Sequence, residues 1–248
     1  MSKDLFSKQA QLYSQYRPSY PNELFDYILT FVQQKEAVWD CATGNGQAAG
    51  MLAHYFKEVI ATDISVAQIA NAVQKENIQY LVCPAEETPF EENTFDLITV
   101  AQAYHWLNWK RFHQEAFRVA KNEAVVAIWN YNLLNTDRPQ VSQLINYFYS
   151  NIIANYWEPE RKYVDNNYAT ALFEFDPLPS RQFSIHMNWR KEELTGYLNT
   201  WSAVQKYRQV NNSSPLLLIK DQLDTLLNED EILAVEFPVH LRLGRIIK

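Results

Sequence analysis

A chain of 248 residues, 47% of them hydrophobic, is long enough to bury one sizeable α/β core and too apolar to be globally disordered. Its formal net charge is −7, with acidic and basic residues interspersed, which argues against nucleic acid as a partner because phosphate binding needs a concentrated positive face. The two cysteines, Cys41 and Cys83, lack zinc spacing, no apolar run approaches the roughly 20 residues that span a bilayer, and the first ten residues have no signal-like apolar core, so a cytoplasmic protein with no metal and no membrane contact is expected.

In chain order, Phe6, Ala10 and Tyr13 recur at helical spacing until Pro18 and Pro21 interrupt it. Pro21 suits the first turn of a second helix reaching about Gln34, so residues 1–35 read as an N-terminal helical cap. From 37 to 131 strands and helices alternate. The strands read at 37–41, 59–62, 78–83, 95–101 and 124–129. Helices read at 46–56, from a capping Ser65 to about Lys75, and along the face made by Phe112, Ala116 and Val119. Alternation of this kind builds a parallel sheet with right-handed crossovers. Beyond residue 132 the rhythm changes. Residues 133–178 are rich in Asn, Tyr and Pro, with one helical stretch near 140–154. Then come a strand at 181–189, helices at 191–200 and 214–227, and a last strand at 235–246. The late strands can complete the sheet, one of them antiparallel. The expectation is a single domain over 1–248 with cap insertions at 133–178 and 190–230.

The informative stretch is Val38-Trp39-Asp40-Cys41-Ala42-Thr43-Gly44-Asn45-Gly46-Gln47, which leaves a buried strand and enters a helix. Gly44 and Gly46 permit backbone angles and a close ligand approach that side chains block. Asp63 ends the next strand, nineteen positions after Gly44, where a carboxylate can take both hydroxyls of a ribose. The run Gly44 to Ala49 also satisfies the G-x-G-x-x-A dinucleotide fingerprint, so spacing alone leaves an NAD-dependent oxidoreductase open. Asp40 weighs against it: a carboxylate at the pocket mouth repels a pyrophosphate and attracts the ammonium of a methionine moiety.

These segments resemble the class I methyltransferases of the methyltransferase-11 type, and within them the trans-aconitate methyltransferase-like branch. The resemblance runs from the N-terminus to about residue 131 and returns weakly at 198–207. It is carried by Tyr16-Arg17-Pro18-Ser19-Tyr20-Pro21, by 40–47, by Ile60 to Ser65, by Cys83 to Phe90, and by Phe95 to Trp106. It implies a Rossmann-like, seven-stranded, mostly parallel sheet with helices on both faces and a helical cap inserted in the C-terminal half. It also implies S-adenosylmethionine as cofactor, held by Asp40, Ala42, Gly44 and Gly46, with Asp63 on the ribose and Ile64 against the adenine. Ala85 and Glu86 would border the adenine edge, and Gln102 the methionine portion. Two departures stand out. Ala42 occupies a position where the family often has glycine, and Lys121-Asn122-Glu123-Ala124 replaces the usual Lys-Pro-Gly-Gly turn.

The acceptor would be a small molecule, for which Tyr13, Arg17, Tyr20 and Trp106 are the candidate contacts; a carboxylate acceptor would suit the arginine. Arg138, Trp157, Arg161 and Lys162 add aromatic and cationic groups in the first insertion. His105 is a weak candidate for a general base, with a hydrogen-bonded structural histidine as the competing reading. Besides the oxidoreductase, a non-catalytic protein that senses the nucleoside cofactor remains as an alternative.

Overall fold

The computed structural model describes residues 16–248; Tyr13 and the helical spacing around it lie outside the described residues. The described residues build one sheet of nine strands. β1 (Ala37–Cys41), β2 (Glu58–Asp63), β3 (Ile78–Val82) and β4 (Phe95–Ala101) pair in parallel with β5 (Ala120–Tyr131) in the order β3-β2-β1-β4-β5. β9 (Leu233–Arg245) then runs antiparallel to β5, with Val125 opposite Arg245 and Tyr131 opposite Val239. β8 (Gln182–Trp189) and β7 (Asp176–Leu178) pair antiparallel with β9 at residues already matched to β5 or β6, so they occupy its far edge. β6 (Asn135–Thr136) extends β5 along the near edge. The expected seven strands are thus seven lateral positions, two of which are filled by paired segments.

Both faces of the parallel part are covered, which is why its strands read as near-continuous apolar runs. Val38, Ala61, Leu97 and Val125 face one core, and Trp39, Ile60, Ile98 and Val126 the other. α1 (Asn22–Leu29) buries Leu24, Phe25 and Ile28 against the first. α4 (Trp109–Val119) buries Phe112, Ala116 and Val119 against the second. Among the described residues no helix is long and apolar enough to cross a membrane.

Several helices stop short of their expected ends, and each stop has a hydrogen-bonding cause. α1 ends at Leu29, five positions before the expected limit, where the hydroxyl of the capping Thr30 turns back to the Tyr27 carbonyl at 2.7 Å. α2 (Gln47–Leu52) gives way because Asn77 Nδ2 takes the Ala53 and Phe56 carbonyls, both at 2.9 Å. α3 (Val66–Ala70) is capped by Ser65 as expected but stops at Asn71, after which Val73 N donates to Asn45 O at 3.0 Å. Where the family's turn is missing, the chain is already in β5: Lys121 pairs with the buried Asp96 at 2.7 Å, and Glu123 takes a left-handed φ of +65°. The first insertion holds α5 (Pro139–Tyr147) and α6 (Arg161–Asp165); α7 (Lys191–Asn199), α8 (Ser202–Asn211) and α9 (Lys220–Leu226) follow it.

Candidate functional site

Strand order reverses between β1 and β4, and a crevice is expected at the carboxyl ends of strands on either side of such a switch. A cleft of about 1080 Å3, mouth included, opens there. Its floor is the loop after β1. Thr43 N donates to Thr62 O at 2.8 Å and Gly44 N to Asp63 Oδ2 at 2.9 Å, which fastens the loop to the end of β2. Asp63 Oδ1 accepts from Ser65 N at 2.8 Å, so two amides fix this carboxylate on the rim. Ala42 and Gly44 are left-handed, with φ of +54° and +58°; a Cβ on Gly44 would meet no atom of the described residues within 4 Å and would project into open space.

Ala42, Gly44 and Asp63 line this cleft, as do Ile64, Ala85 and Glu86. Ile64 is 37% exposed and offers its apolar side to the opening. Glu86 Oε1 accepts from Asn108 N at 2.8 Å. Gln102, left-handed at φ +55°, donates from Nε2 to the Tyr131 carbonyl at 3.1 Å, and its buried Oε1 has no partner among the described residues. Arg17, Tyr20 and Trp106 line the same cleft.

Two expected cofactor contacts are not part of the lining. Gly46 serves packing: a Cβ there would run into the Tyr80 hydroxyl, which donates to Val73 O at 2.5 Å. Asp40, expected at the mouth, is 0% exposed beneath the loop, where it accepts from Thr43 Oγ1 at 2.5 Å and Thr99 Oγ1 at 2.7 Å. It therefore holds Thr43, a lining residue, and the argument that it repels a pyrophosphate by contact does not apply. Burial pushes its pKa up to about 6, against the lowering effect of hydrogen bonds from Thr43, Thr99 and the Ala49 amide. The folded value lies above the ordinary 3.8, so ionising Asp40 costs stability as pH rises through that interval. Between pH 4 and 7 Asp40→Asn is expected to gain about 2 kcal/mol relative to the unmutated chain. Urea unfolding of both proteins across that range measures the difference; a flat difference would exclude the buried titration.

A second cavity of about 670 Å3 adjoins the first and shares Arg17, Gln102, Trp106 and Tyr131 with it. Arg17 Nη1 donates to Tyr131 Oη at 2.6 Å, and the guanidinium lies 5.6 Å from the Tyr197 ring centre. Arg161 enters from α6, with Nε 2.7 Å from Tyr149 Oη and 3.1 Å from Asp165 Oδ1, and its guanidinium 4.9 Å from the Trp157 ring centre. Glu158 brings an opposing charge but pairs with Lys206 at 3.1 Å. His105 also lines this cavity. Arg138 does not: it pairs with Glu231 and donates to the Leu226 carbonyl. Lys162 lies over the Tyr163 ring instead. Tyr197, in the last turn of α7, and Trp201, the N-cap of α8, also line the second cavity.

Comparison with known proteins agrees with this geometry. A methyltransferase domain model matches residues 39–128. A Dictyostelium discoideum protein described as an inferred methyltransferase is 31% identical over 98% of this chain and 95% of its own length. A Saccharomyces cerevisiae protein, described by inference as an S-adenosylmethionine-dependent methyltransferase, is 30% identical over 48% of this chain and 44% of its own. Among solved structures, one described as an inferred type II methyltransferase from Anaeromyxobacter dehalogenans is 35% identical, covers 94% of this chain and 99% of its own, and superposes with a TM-score of 0.86.

Proposed function

The chain belongs to the class I S-adenosylmethionine-dependent methyltransferases, and we propose that it transfers the methyl group to a small carboxylate held in the second cavity between Arg17 and Arg161. That membership sets aside the NAD-dependent oxidoreductase and the non-catalytic nucleoside sensor. The trans-aconitate methyltransferase-like branch belongs to the same proposal, since its acceptors are acids.

The first cleft fits S-adenosylmethionine. The space beyond Gly44 admits a ligand where any side chain would intrude, Asp63 presents a carboxylate to a ribose, and Ile64 an apolar surface to a base. The unpartnered Oε1 of Gln102 accepts from an ammonium group. When bound, the cofactor supplies an electrophilic methyl group on a positively charged sulfur.

The observation that carries the acceptor reading is the pair of arginines in one cavity adjoining that cleft. A guanidinium grips a carboxylate through two parallel hydrogen bonds. A carboxylic acid is already ionised at neutral pH, so the chain need not remove a proton, and its task is alignment and exclusion of water. Trp106, Trp157 and Trp201 supply the apolar walls for the second. Esterification removes the acceptor's charge, so the arginines hold the product less strongly than the acid.

A screen of small carboxylic acids, amines and phenols with label on the methyl group tests this. Alkali releases the label as methanol from a methyl ester and from no ether or amine, so alkali-stable product would overturn the acid reading and point to an acceptor facing Glu158. Arg161 lines the second cavity and not the first, whereas Arg17 lines both. Arg161→Met is therefore the cleaner variant. It is expected to lose about 10- to 100-fold in kcat/KM for the acid, the size of one or two hydrogen bonds between charged groups, with cofactor affinity within about twofold. Equal losses in cofactor affinity would move Arg161 out of the acceptor site.

A further inference from the structure

Tyr168 is fully buried against the short turn Tyr104–Trp106 that carries His105 into the second cavity. Its phenol oxygen lies 2.9 Å from His105 Nδ1, and the two rings stack with centres 6.0 Å apart. Asn167 and Tyr168 are both left-handed, with φ of +59° and +58°. A bulky side chain adopts that conformation only where its surroundings enforce it. Arg242 Nη1 does so by donating to the Tyr168 carbonyl at 2.5 Å and the Ala171 carbonyl at 3.1 Å. Asn132 Nδ2 donates to Asn167 Oδ1 at 2.6 Å, and Asn130 Nδ2 to Val164 O at 3.2 Å. Side chains from β5, β9 and the loop after β5 thus hold one hydroxyl against one imidazole nitrogen.

Hydrogen atoms decide what that contact does. Among the described residues His105 Nδ1 is the one hydrogen-bond partner of the fully buried Tyr168 phenol, so a phenol that accepted from Nδ1–H would bury its own proton without an acceptor, whereas donating to Nδ1 satisfies both groups. An imidazole that accepts at Nδ1 is neutral and carries its proton on Nε2. His105 Nε2 makes no hydrogen bond with any described residue, and the ring lines the second cavity. Burial, with the charge of Arg161 beside it, pushes the imidazolium pKa down to about 3, so the ring stays neutral.

We propose that Tyr168 locks His105 in its Nε2–H tautomer, making His105 a hydrogen-bond donor to an oxygen of the acceptor and not a general base. The donor role rests on the reading of the second cavity as the acceptor site. With Nδ1 engaged and Nε2 protonated, no basic ring nitrogen faces the acceptor. The third donor beside Arg17 and Arg161 also sharpens selection: a carboxylate accepts from it, whereas an ammonium group presents only donors and leaves Nε2–H unsatisfied.

Nitrogen NMR of the full chain labelled at histidine reads the tautomer without any acceptor, the His105 signals being those lost in His105→Gln. The expected result is a neutral ring protonated on Nε2 from about pH 5.5 to 8. In Tyr168→Phe, Nδ1 loses its partner, and the expected result is a mixture of tautomers. A proton on Nδ1, or a titration of His105 inside that range in the unmutated chain, overturns the proposal. The kinetic arm uses the best acid from the screen. His105→Phe is expected to raise KM about tenfold with kcat within about threefold, and His105→Gln, whose amide nitrogen takes the place of Nε2, to restore KM. A loss confined to kcat, unrescued by glutamine, overturns it. If no acid is methylated, the acceptor reading fails while the tautomer spectrum still decides whether Tyr168 locks the ring.

Discussion

Alanine in place of Asp63 is expected to weaken S-adenosylmethionine binding by at least about 100-fold. A hydrogen bond between a neutral hydroxyl and a carboxylate contributes about 1.5–3 kcal/mol, and a ribose offers two hydroxyls. The structure adds a second loss. Asp63 also anchors Gly44 N at 2.9 Å and Ser65 N at 2.8 Å, so its removal frees the loop after β1 from the end of β2 and the cap of α3 from its neighbour. About 3 kcal/mol corresponds to more than 100-fold in affinity, and the loop's release should carry the effect past a ribose contact alone. Titration calorimetry with the cofactor measures it, and circular dichroism on the same sample shows whether the fold persists. A folded variant with undiminished affinity would move the ribose elsewhere.

Gly44→Val should abolish detectable binding and leave most of the fold in place, a sharper separation than any other substitution in the loop offers. At φ +58° a β-branched residue is strained by about 1–2 kcal/mol, a cost the protein can bear. The added side chain meets no protein atom near its Cβ, so the core does not have to shift. What it does fill is the space at the floor of the first cleft. Gly46→Val makes the contrast. There the new Cβ runs into the Tyr80 hydroxyl, so it should lower thermal stability far more than Gly44→Val while acting on binding only through the loop. Normal cofactor binding by folded Gly44→Val would remove the loop after β1 from the cofactor site.

The sequence by itself determined the parallel half of the fold and the floor of the first cleft. Apolar runs such as 37–41 and 95–101 admit little besides buried strands, and Gly44, four residues past Asp40 near the end of one of them, marks a tight loop there. Those are local constraints: neighbours along the chain enforce them, so periodicity and spacing carry them. Asp63 is legible for the same reason, since it ends a strand whose position the pattern sets; Ile64 and Gln102 enter through the family resemblance.

Tertiary structure alone decided the rest. Asp40 reads as a mouth residue because strand ends face the crevice, yet its side chain points under the loop to Thr43 and Thr99, a direction that depends on the neighbouring β4. Helix ends at Asn71 and Ala53 depend on hydrogen bonds to residues outside the helix. The second cavity is the clearest case. Arg17, His105, Tyr131, Arg161 and Trp201 lie far apart along the chain and meet only when β5, α6 and α7 pack together. Of the cations in that region, Arg161 entered the cavity and Arg138 was taken by Glu231, a choice no local pattern encodes because both partners of a long-range ion pair must be placed before either is spent. The protonation of His105 is more remote still: it follows from one hydroxyl on Tyr168, 63 residues away, held by a strained backbone that Arg242 enforces.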